Sequence, residues 1–147
     1  MINLMYVVLM AMLALNISTE VLNGFSIVEE SLNRTTSNSS KENDAIYRNF
    51  SEQMKANPQK VKEWFEKATA VKQMSDSLYN FAQQLKTEIV RMADGKDGDV
   101  MNIVNKEDLE AANQVMLAPG TGKGRRLYDA INSFRTRIVS HKSAKRT

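Results

Sequence analysis

The 147-residue sequence contains no cysteine, two prolines and six glycines. Without cysteine there is no disulfide framework and no thiolate metal or redox site. So few breakers favour long helices over many turns. No segment alternates apolar and polar residues as a half-buried strand does, and no internal repeat is evident. The single histidine, His141, lies on the seam of the last helical stretch. No nucleophile and base can be paired around it, so neither catalysis nor a metal site is expected there. Charge is also missing from the start: nineteen residues precede Glu20, and no Lys or Arg occurs before Arg34.

The uncharged start reads MINLMYVVLMAMLALNISTE, with an unbroken apolar run from Leu4 to Leu15. At ~1.5 Å of rise per residue, Ile2 to Leu22 covers roughly 31 Å as a helix, about the hydrocarbon thickness of a bilayer. A secretory signal would need a positive leader and a small-residue cleavage site. Neither is present, and a buried soluble helix fits the length less well. The expectation is a transmembrane helix over residues 1–24, in a natural chain that begins upstream of Met1. The acidic flank of Glu20, Glu29 and Glu30 places the C-terminal side of the span outside the cytoplasm by the positive-inside rule.

Val21, Phe25, Val28 and Leu32 fall at 4, 3, 4 spacing, a seam that packs one helix on another. Backwards, the same stripe passes Ser18, Ala14 and Ala11, small residues that permit close helix approach in lipid. Asn3, Tyr6 and Asn16 lie within or at the edges of the span, where polar groups face protein. They act either as glue between paired helices or as contacts to a separate ion-conducting partner. No Asp or Glu sits mid-span, so a proton-carrying carboxylate would have to belong to another chain.

The polar stretch Asn33–Asn43 reads as a turn ending the first helix, with Asp44 capping a second whose face is Ile46 or Tyr47, Phe50 and Met54. Pro58 kinks that helix or starts a new one. From Val61, apolar or small residues recur at spacings of 3 or 4 through Phe65, Ala68, Val71, Ser75, Leu78, Ala82, Leu85 and Ile89 to Met92. This is the strongest periodic signal in the chain. Gly95 and Gly98 break it. A shorter helix comes next, capped by Asn105, with a face of Leu109, Ala112 and Met116; after APGTGKG a last helix carries Leu127, Ile131, Phe134 and Ile138. The fold class is all-α: a single N-terminal transmembrane helix continuing into an extended helical bundle over residues 25–147.

Two motifs fail on inspection. GTGKG lacks the first glycine and the hydroxyl residue of a phosphate-binding loop, since Leu117 and Gly124 hold those places. A calcium loop starting at Asp97 would need an oxygen ligand at Met101, glycine at Asn102 and Glu at Asp108. No cofactor is expected. Residues 123–147 carry eight Lys or Arg against Asp129, a balance of +7 within a net charge of +3. The tail reads as a solvated face or a helix pairing with an acidic neighbour, and nucleic acid is not an expected partner.

MINLMYVVLMAMLALNISTEVLNGF closely resembles the N-terminal membrane helix of the GldM/PorM family, single-pass motor proteins of gliding motility and type IX secretion. The resemblance is dense over Met1 to Phe25 and agrees in kind beyond, since the family's first periplasmic domain is a helical bundle. It implies a bacterial inner-membrane protein with its C-terminal part in the periplasm, truncated here before further periplasmic domains. It implies a homodimer whose membrane helices sit in a ring of GldL/PorL-like two-span subunits, with proton-motive force converted to mechanical work passed to an outer-membrane-associated ring. Asn3, Tyr6 and Asn16 would then contact the partner ring, Ala11, Ala14 and Ser18 would form the helix-packing face, and Val21, Phe25, Val28 and Leu32 the stalk seam. A membrane-anchored helical sensor or scaffold shares the structural features, although a chemoreceptor-like sensor needs a second span.

Overall fold

A computed structural model describes residues 2–143, apart from the side chains of residues 14–19, 109 and 141–143. It contains α1 (Ile2–Ala56), α2 (Pro58–Asp94), α3 (Leu109–Leu117) and α4 (Gly124–Ser143). Among the described residues there is no strand, only an isolated bridge between Asp99 and Asn102. The all-α reading holds. The chain divides into two compact units, Met1–Phe50 and Ser51–Thr147.

The first unit lies wholly on α1, which differs from expectation: no turn interrupts it at Asn33–Asn43, and Asp44 caps nothing. Two polar residues of that stretch are engaged within the helix. Thr35 donates its hydroxyl to the Ser31 carbonyl at 2.9 Å, and Arg34 pairs with Glu30 at 3.1 Å. Side chains so engaged do not draw the backbone into a turn. The stretch also holds no glycine or proline to change the backbone path. The break comes at Asn57, whose N–H donates to the Gln53 carbonyl at 2.8 Å, with Pro58 opening α2 in the first turn. A proline there loses no helical hydrogen bond and has its φ preset.

In the second unit α2 is the central element, and α3 and α4 pack on it and on each other. Its buried apolar side chains, among the described residues, are Leu85 and Val90 of α2 with Ala111 and Val115 of α3. The expected α2 seam is half-buried from Val61 to Ala82 and fully buried at Leu85, but its last member, Met92, is exposed and Val90 takes the inner place. α3 departs further. Its N-cap is Asp108, three residues later than expected, with one carboxylate oxygen accepting from Glu110 N–H at 2.9 Å and Ala111 N–H at 3.0 Å. The inner face is therefore Ala111 and Val115, with Ala112 exposed and Met116 intermediate; the Leu109 side chain lies outside the described residues.

Residues in or beside the two failed motifs have structural uses. Gly95 ends α2 at φ +90°, a conformation glycine adopts without strain. The Asp94 carboxylate then accepts the N–H groups of Val104 and Asn105, both at 2.8 Å, pinning the turn beyond α2. Near GTGKG, a β-carbon at Gly122 would lie 2.7 Å from the Met116 carbonyl oxygen, so glycine is required by close backbone approach. Lys123 pairs with Glu88, tying the start of α4 to α2.

Candidate functional site

Among the described residues, two uncovered surfaces each collect residues in a pattern. On α1 the stripe Val21, Phe25, Val28 and Leu32 is exposed, Phe25 to 67%. Asn3, Tyr6 and Ala11 are likewise exposed on the same helix. Ala14, Asn16 and Ser18 lie outside the described side chains. The seam residues thus share one helical face without meeting an apolar partner, and exposed apolar surface of this kind marks an interaction site. Among the described residues no helix is long and apolar enough to cross a membrane. The side chains of residues 14–19, which belong to the expected span, are outside that description.

The second surface is a groove of about 560 Å³ between α2 and α4. Arg126 lies 5.7 Å from the centre of the Phe81 ring, and Lys123 meets Glu88 farther along, so α4 runs antiparallel to α2. Met74, Leu78 and Phe81 of α2 and Phe134 of α4 give the groove an apolar lining. Gln73, Ser77 and Ser133 add neutral polar groups, and the charged members, Arg126 and Arg137, are both basic. Of the expected α4 face, Leu127, Phe134 and Ile138 are half-buried, while Ile131 is 49% exposed and Ala130 lines the groove instead.

The groove is not among the sequence expectations. Its signal is a second stripe on α2, Ala70, Met74, Ser77 and Phe81, running beside the dominant seam at helical spacing. Chemically the two surfaces suit helix packing. Among the described residues no group of His, Asp and Glu side chains is placed to hold a metal ion.

Comparison with known proteins gives one family: a model described as GldM N-terminal domain matches residues 20–146. No curated protein matches the chain.

Proposed function

Since the chain belongs to the GldM N-terminal domain family, associated with gliding motility and type IX secretion, we propose that it is an inner-membrane motor subunit. In this reading the apolar start is a single membrane anchor, the part beyond Glu29 lies in the periplasm, and two copies act together. A GldL/PorL-like two-span protein surrounds the anchors and supplies the carboxylate that carries protons. The chain contributes no catalytic group. Its task is to fit that partner and pass motion on to further periplasmic parts.

The observation that carries the reading is the continuity of α1, which runs as one helix from Ile2, through the apolar run, to Ala56. A helix with no glycine or proline between Gly24 and Pro58 transmits rotation or tilt better than one interrupted by a loop. Small residues Ala11, Ala14 and Ser18 suit close helix contact in lipid, and Asn3, Tyr6 and Asn16 supply polar contacts to the ring. The exposed Val21–Leu32 seam is where the two stalks pair.

The test is co-purification from membranes. A small two-span protein with an intramembrane acid should accompany the chain, and reporter fusions after Ser40 should be active only outside the cytoplasm. Cytoplasmic activity after Ser40 would contradict both the orientation and the anchor. A correctly oriented protein with no such companion would leave a passive scaffold.

A further inference from the structure

We draw no further inference here: the strongest candidate, the half-buried apolar groove between α2 and α4 lined by Met74, Leu78, Phe81 and Phe134, carries nothing because nothing in the structure shows what covers it.

Discussion

α1 and α2 carry similar apolar periodicity and meet different fates. Val21, Phe25, Val28 and Leu32 of α1 recur at 4, 3, 4 spacing and are exposed, whereas α2 carries a stripe of the same kind whose Leu85 is only 4% exposed. Periodicity states which face of a helix seeks a partner; it does not state whether the partner belongs to the same chain. For α2 the partners are α3 and α4, brought back by the turns at Gly95 and Gly122. Nothing within the first unit covers the described α1 stripe.

Truncating one residue of each stripe should widen that contrast most. Leu85→Ala removes a buried side chain and should destabilise the second unit by about 2–5 kcal/mol in thermal unfolding followed by circular dichroism. Leu32→Ala, on the exposed stripe, should leave that transition within ~0.5 kcal/mol and instead weaken association of copies. Equal losses from both would erase the distinction.

The glycines sharpen it next. Gly122→Ala forces a β-carbon to 2.7 Å from the Met116 carbonyl oxygen and should cost about 1–3 kcal/mol of the same transition. An unchanged melting temperature would show that the turn relaxes freely. Asp108→Ala removes the oxygen that caps α3 and should cost about 0.5–2 kcal/mol, with protection of the Glu110 and Ala111 amides lost first in hydrogen exchange. A smaller effect than at Gly122 belongs to Gly24, in α1, where a methyl group meets nothing within 4 Å. Gly24→Ala should raise helicity slightly, by about 0.5–1 kcal/mol, and a loss of helix signal would reveal a contact made by that face.

How much of the fold is legible depends on the kind of signal each element offers. The breaks at Pro58, Gly95 and Gly122 are readable because proline and glycine alter the backbone itself. The stretch Asn33–Asn43 misleads because Ser, Thr and Asn favour turns only when their side chains engage the backbone outside a helix. Here Thr35 bonds back to Ser31 instead. The α3 cap is displaced for a related reason: Asn105, Asp108 and their neighbours all resemble caps, and selection among them depends on Asp94 fixing the turn at Val104 and Asn105. The α2–α4 groove is invisible in any one helix, since it arises from the antiparallel pairing of two. The α1 stripe is legible as a face, but its partner is not encoded in α1.

The central claim is that α1 works as one continuous element joining the apolar start to the rest of the stalk, and it is tested most directly by breaking that helix where the sequence suggests a loop. Ser39→Pro removes a helical N–H and sets the proline ring against the preceding turn, at a local cost of ~3 kcal/mol or more. The variant should accumulate normally and still co-purify with the proposed two-span membrane partner, while type IX secretion and gliding are lost. Normal secretion by a stable, membrane-inserted Ser39→Pro protein would contradict the account, because a motor subunit that tolerates a break there does not transmit work through α1.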